Sequence, residues 1–158
     1  MSLNNSQMMT LATALRSSVD PVVAACFGDK FRNDTGLLQW CNSNSTQDAW
    51  PHEISISDLF EAGNMATYGA LSAGNRESWK MLLDNAPINM TRNRIRKAVA
   101  EIWLSDADGV LQRCLRKATN GEKIFGGTSA TEGTITALKL NVPGLLTLSD
   151  VSDSLNQF

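Results

Sequence analysis

Thr91-Arg92-Asn93-Arg94-Ile95-Arg96-Lys97-Ala98-Val99-Ala100-Glu101-Ile102-Trp103 is the stretch that decides the fold class. Its apolar side chains, Ile95, Ala98, Val99, Ile102 and Trp103, recur at three- and four-residue intervals, the spacing of one buried helical stripe. Thr91 is the expected N-cap, and Arg92, Arg96 and Lys97 are expected on the other faces. Upstream, Ser72 precedes Ala73 to Asp84, where Trp79, Leu82 and Leu83 share a face, and Pro87 then breaks the chain. Ser57 before Asp58-Leu59-Phe60-Glu61 reads as another N-cap with acids in the first turn. Downstream, Ser105 opens a helix that aligns Leu111, Cys114, Leu115, Ala118, Glu122 and Phe125. Gly121 is its weak point, about 1 kcal/mol less favourable than alanine.

The two ends read differently. Met8, Leu11, Ala12, Leu15 and Val19 mark a helical stripe, Pro21 opens a second helix at its first position, and Gly28 stops it. Thr35 to Trp40 is a further short helical turn, and Asn42-Ser43-Asn44-Ser45-Thr46 a polar loop. In the tail, Gly126-Gly127-Thr128-Ser129 reads as a flexible link and Thr134 to Leu140 as a strand rich in β-branched residues. Pro143-Gly144 fits a type II turn returning Leu145-Leu146 as a second strand. Thr147-Leu148-Ser149-Asp150 resembles a capping box with aspartate in the usual glutamate place, and Val151 and Leu155 give the last helix its apolar side. The expectation is a mainly α (α+β) chain: a bundle of about five to seven helices with a short C-terminal β-hairpin followed by a short helix. Residues 1–158 are expected as a single domain, with a helical lead-in over 1–49, the bundle core over 50–125, and hairpin and terminal helix over 126–158.

With 158 residues, 42% of them hydrophobic and 19% charged, the chain can bury a core without disulfide or metal staples. Disorder, collagen and coiled coil are excluded by the same composition. The net charge of −2 and pI near 5.3 supply no global pull towards nucleic acid or anionic membrane. No run approaches the 18 apolar residues of a membrane span, and Met1 to Gln7 lacks the basic-then-apolar order of a signal peptide. Cys26, Cys41 and Cys114 are odd in number and form no C-x-x-C pair, so synthesis in a reducing cytoplasm is expected. Charge is nevertheless segregated, with a net of −4 over residues 1–75, +4 over 76–123 and −2 over 124–158. Such opposite patches favour head-to-tail contact between copies.

Chemistry is sparse. His52 is the single histidine, so a histidine zinc pair is excluded. Cys26 and Cys114 fall on apolar faces as inert small hydrophobes, and only a Cys41–His52 pair leaves a hydrolase reading open. Neither phosphate-binding glycine motif is present, and Asp106 and Asp108 are accounted for by the helix dipole. The reading therefore names no catalytic, cofactor-binding or metal residue and expects no enzyme. The candidate interaction residues are Arg92, Arg94, Arg96 and Lys97, with Arg113, Arg116 and Lys117. They would meet nucleic-acid phosphates or an acidic partner, or else form a solvated face paired with Glu101, Asp106 and Glu122. Trp40 and Trp50 are candidates for core or interface anchors.

From Trp50 onwards the order of segments resembles a family of small helical proteins of tailed bacteriophages and prophages. The resemblance runs through Ser55-Ile56-Ser57-Asp58-Leu59-Phe60-Glu61, then Leu71-Ser72-Ala73-Gly74 into Arg76-Glu77-Ser78-Trp79. It continues over Ile88 to Trp103, Gly121-Glu122-Lys123-Ile124-Phe125 and Gly144 to Val151, about two-thirds of the chain in all. Residues 1–49 match only as a loosely similar helical lead-in, and His52 stands where that pattern leads one to expect a basic residue. The resemblance implies a virion structural protein of the neck: a head–tail connector or adaptor subunit, made in the host cytoplasm and residing in the virion. It would act through protein–protein contacts in a homo-oligomeric ring, beside portal-type or tail-type proteins and close to DNA in a channel. Neither a cofactor nor a membrane is implied. The alternative is a non-virion phage protein, a tail or head assembly chaperone or an inhibitor of a host protein.

Overall fold

In the structure, a computed structural model, residues 2–28 and 30–158 are described. The elements run α1 (Asn5–Ser17), α2 (Pro21–Ala25), α3 (Asp34–Asn42), β1 (Asn44–Ala49), α4 (Ile56–Ala62), α5 (Met65–Tyr68) and α6 (Ala73–Asp84). There follow α7 (Asn93–Trp103), a 3-10 turn (Leu104–Asp106), α8 (Ala107–Cys114), β2 (Arg116–Thr119), α9 (Asn120–Phe125), β3 (Gly127–Glu132), β4 (Ile135–Leu140) and α10 (Leu148–Gln157). The class is the expected one, mainly helical with a C-terminal strand region followed by a helix. The helical segments are shorter and more numerous than the five to seven expected, because several are single turns held by a cap.

Caps explain most of the helix starts. Ser72 Oγ accepts the N–H of Asn75 and opens α6, as expected. Thr147 and Asp150 form the expected capping box of α10, and Asn4 with Gln7 forms one for α1. Pro21 stands at the first position of α2, where its missing N–H leaves nothing unpaired. Three starts differ from expectation. α8 begins at Ala107, and Ser105, its expected opening, lies in the preceding 3-10 turn. α4 begins after Ser55, whose Oγ accepts the Asp58 N–H, so Ser57 lies inside the first turn. α7 begins after Arg92 without a side-chain cap, because the Thr91 hydroxyl is bound to Asn89 Oδ1 at 2.6 Å. α1 ends at Ser17, leaving Val19 off the stripe and 95% exposed.

The four strands form one sheet of order β2-β1-β4-β3. β1 and β4 are parallel, with Ala49 opposite Leu138, and the Trp50 N–H continues the ladder to the Leu138 carbonyl at 2.9 Å. Parallel neighbours need a long crossover, which the helices between Ile56 and Phe125 supply. Three strands replace elements expected otherwise. β1 stands where a polar loop is expected, β2 interrupts the helix expected to run to Phe125, and β3 replaces the flexible link. β1 and β2 gain backbone hydrogen bonds from strands distant in sequence, and β3 gains them from the adjacent β4 across a tight turn, which outweighs weak local strand preference. The hairpin is β3–β4, turning at Gly133-Thr134, not a pair made by Leu145-Leu146. Gly144 does take positive φ (112°), but the chain then binds Asn42: the Leu146 N–H donates to Asn42 Oδ1 and Asn42 Nδ2 donates to the Leu146 carbonyl. One side-chain amide thus satisfies both backbone groups that the expected strand would have paired.

The chain divides into two compact units. The first comprises Met1–Gln47, Lys117–Gly127 and Leu140–Phe158. Here α1 packs on α9 and α10, and α3 on α2, α9 and α10, around Leu11, Leu15, Val23, Leu37, Val151 and Leu155. α1, α2 and α3 therefore share one core with α9 and α10, and α9 belongs to that core and not to the bundle expected over 50–125. Gly121 is the residue that lets α9 approach α3: a Cβ there would lie 3.1 Å from the Cys41 carbonyl oxygen. The second unit comprises Asp48–Arg116 and Thr128–Lys139. α7 packs on α6 and α8, and α4 on α6 and α8, around Trp50, Leu59, Trp79, Met90, Val99 and Trp103.

Candidate functional site

The cations of α7 do not share one face. Arg92, Arg94 and Lys97 are exposed, whereas Arg96 is buried. Arg96 precedes Val99 by three residues and Trp103 by seven, which places it on their inward side. Its Nη1 donates to the carbonyls of Met90 (3.0 Å) and Thr91 (2.7 Å), and its guanidinium lies 5.2 Å from the centroid of the Trp50 ring. Burial pulls the Arg96 pKa below the ordinary arginine value, and the charge of Glu132 acts against that shift. Arg96 is thus withdrawn from any partner, contrary to its expected place among the exposed interaction residues. Of the two roles expected for it, core or interface anchor, Trp50 takes the core one. It is 0% exposed, its Nε1 donates to the Ala130 carbonyl at 3.0 Å, and it is a core anchor of the second unit. Trp40 is half-buried and its Nε1 donates to Asp20 Oδ2 at 3.3 Å, tying α3 to the N-cap of α2. Lys117 is exposed on β2, with its Nζ 3.4 Å from the Thr46 carbonyl oxygen.

Arg113 and Arg116 meet in a cleft of about 450 Å³ in the second unit. Its other charged walls are Glu53, Asp58 and Glu61, with Pro51, Ile54 and Cys114 between them. Arg113 Nε donates to the Ala62 carbonyl at 2.8 Å, fixing the guanidinium at the C-terminal end of α4, where a cation suits the helix dipole. Sequence spacing paired the cations with Glu101, Asp106 and Glu122. The fold instead collects Glu53, Asp58 and Glu61 around two of them, and no local periodicity connects residues so far apart. Asp106 accepts from the Thr67 hydroxyl and Asp108 from both the N–H and hydroxyl of Thr134, so one acid ties down α5 and the other the β3–β4 turn.

The candidate nucleophiles are sealed in. Cys26, Cys41 and Cys114 are all buried free thiols. Burial pushes the thiols of Cys41 and Cys114 up to about 12, with Arg113 opposing the shift at Cys114. Both stay protonated at neutral pH, so neither supplies the thiolate that attack requires. His52 is half-buried, and its Nδ1 has no hydrogen-bond partner. Among the described residues no three His, Cys, Asp or Glu side chains are grouped to hold a metal ion, and no helix is long and apolar enough to cross a membrane.

β3 is an edge strand of the sheet, reading Gly127-Thr128-Ser129-Ala130-Thr131-Glu132 with four of these six residues exposed. An edge strand turns the backbone groups of alternate residues away from its one neighbour. Neither proline nor lysine interrupts β3, and its one charged residue, the part-buried Glu132, stands at its last position, so residues 127–131 are free of the usual edge-blocking side chains. Comparison with protein-family models, curated proteins and solved structures finds no match.

Proposed function

We propose that this chain is a structural protein of a tailed-phage virion, a neck subunit of head–tail connector type that works through protein–protein contacts as a homo-oligomer. The observation that carries this reading is the unblocked edge of β3, whose outward backbone groups suit pairing with a strand of a neighbouring subunit. The exposed cations Arg92, Arg94 and Lys97 add a surface suited to an acidic neighbour or to the DNA of a channel. The segment order from Trp50 onwards, which resembles that of small phage proteins, supplies the biological setting. Mass spectrometry of purified particles tests the assignment. The expected result is the chain present at a constant copy number beside portal-type or tail-type proteins, with ring-shaped particles of the isolated protein in negative stain. A chain made during infection but missing from the particle would overturn it in favour of an assembly chaperone or an inhibitor of a host protein.

A further inference from the structure

α4 is a helix of about two turns whose inward side is Leu59 and Ala62, both buried. Its outer side carries Ile56 and Phe60 one turn apart, 56% and 49% exposed, and the exposed Glu61 follows on the flank that also walls the Arg113–Arg116 cleft. The second unit thus presents a small apolar ridge with an acid on its flank.

The same unit contains a hollow of matching character. Between α6 and α7 lies a groove of about 250 Å³ lined by Ser78, Met81, Leu82, Asn85, Ala98 and Ile102. Met81 on its lip is 59% exposed. An adjoining hollow shares Leu82 and Asn85 and extends to Ile95 and Arg92, so the groove runs towards the cationic start of α7, where Arg94 is also exposed. α6 exposes Glu77, Lys80 and Asp84, a net of one negative charge, against the two cations Arg92 and Arg94 at the start of α7. An acidic ridge therefore enters with its acid towards Arg92 and Arg94 and away from α6, which sets one orientation.

We propose that the Ile56–Phe60 ridge of one copy seats in the α6–α7 groove of a second copy of this chain, with Glu61 against Arg92 and Arg94. Both halves of the contact are present on every copy, apolar against apolar and acid against base. Two large apolar side chains flanked by charge form the usual energetic centre of an interface. Ridge against ridge would instead bring Glu61 towards Glu61. The contact joins different surfaces of successive copies, so it propagates head to tail and closes into a ring when the rotation per copy allows. It deepens the connector reading and rests on it for its biological role.

Sedimentation velocity of the full chain over a range of concentration and salt tests the contact. Wild type is expected to form oligomers that loosen as salt rises. Phe60→Arg, which spoils the ridge, and Ala98→Arg, which spoils the groove, are each expected to be monomeric. Each keeps the surface the other lacks, so an equimolar mixture is expected to give a dimer that grows no further. Arg92→Glu is expected to weaken assembly at least tenfold, and mixing it with Glu61→Arg to recover part of the loss. Circular dichroism verifies folding, and Met81→Lys on the exposed lip replaces Ala98→Arg if that variant does not fold. A wild type that stays monomeric, an oligomer that neither variant disturbs, or folded variants that do not pair would overturn the contact. An oligomer indifferent to both variants defeats this contact and leaves the connector reading standing, whereas absence from purified particles defeats the connector reading and leaves the contact.

Discussion

Trp103 lies at the centre of the second unit's aromatic group, 5.2 Å from Trp79 in an edge-to-face contact and 6.3 Å from Tyr68. Its position in the stripe with Val99 and Ile102 is legible in the sequence, and its burial follows from that stripe. Trp103→Ala should lower the unfolding free energy by about 3–5 kcal/mol, read as a shift of the urea midpoint at unchanged slope. A loss below about 1 kcal/mol, typical of a surface site, would refute the packing. Gly133 is a residue whose role no periodicity announces. It has φ +59°, and a Cβ there would stand 2.3 Å from Asp108 Oδ1, the carboxylate that binds Thr134. Gly133→Ala should therefore cost about 1–3 kcal/mol. Gly69→Ala is the control, because a Cβ there meets nothing within 4 Å.

At the scale of elements, α9 depends on one buried carboxylate. Glu122 Oε1 accepts the Thr119 N–H at 2.9 Å, closing the capping box, and Oε2 accepts the Gly144 N–H at 2.7 Å. Glu122→Ala leaves the buried Thr119 N–H unanswered and releases the Gly144 N–H, which is near solvent, and should destabilise by about 1–3 kcal/mol in urea melts. The neighbouring exposed Lys123→Ala should stay within about 0.5 kcal/mol. Helices of this kind are readable because a cap spans three residues and a stripe four. Ser72, Pro21 and the Thr147–Asp150 box all open helices where the sequence indicates. β1 is the opposite case. Asn44-Ser45-Thr46-Gln47-Asp48-Ala49 has neither apolar alternation nor β-branched enrichment and pairs only because β4 and β2 flank it.

Over the whole molecule, the two units each seal a thiol, Cys41 in the first and Cys114 in the second. A group whose folded pKa lies above its unfolded value keeps its proton while the unfolded chain releases it. The stability this confers is complete below pH about 9 and is lost as pH rises towards about 12. Urea melts across alkaline pH should show that decline, and a Cys41→Ala/Cys114→Ala chain should show a shallower one. An unchanged slope would trace the decline to other groups. The surfaces offered for function, the β3 edge and the exposed side of α7, belong to this scale too. Only three of the four cations read from residues 92–97 reach solvent, since one turn of helix carries Arg96 under Trp50.

By itself the amino-acid order determined that the chain is mainly helical, where α6 and α10 begin, which side of α1 and α7 is greasy, and that Ile135 to Leu140 is extended. These properties rest on contacts between residues three or four apart, or on alternation within one segment, and need no partner. The three further strands, the burial of Arg96 and Trp50, the union of α9 with α1 and α3, and the gathering of Glu53, Asp58 and Glu61 about Arg113 and Arg116 were decided by tertiary structure alone. Apart from β3, which pairs with the adjacent β4 across a two-residue turn, each of those depends on a hydrogen-bond or packing partner tens of residues away, and backbone pairing carries no side-chain signature in the strand that receives it.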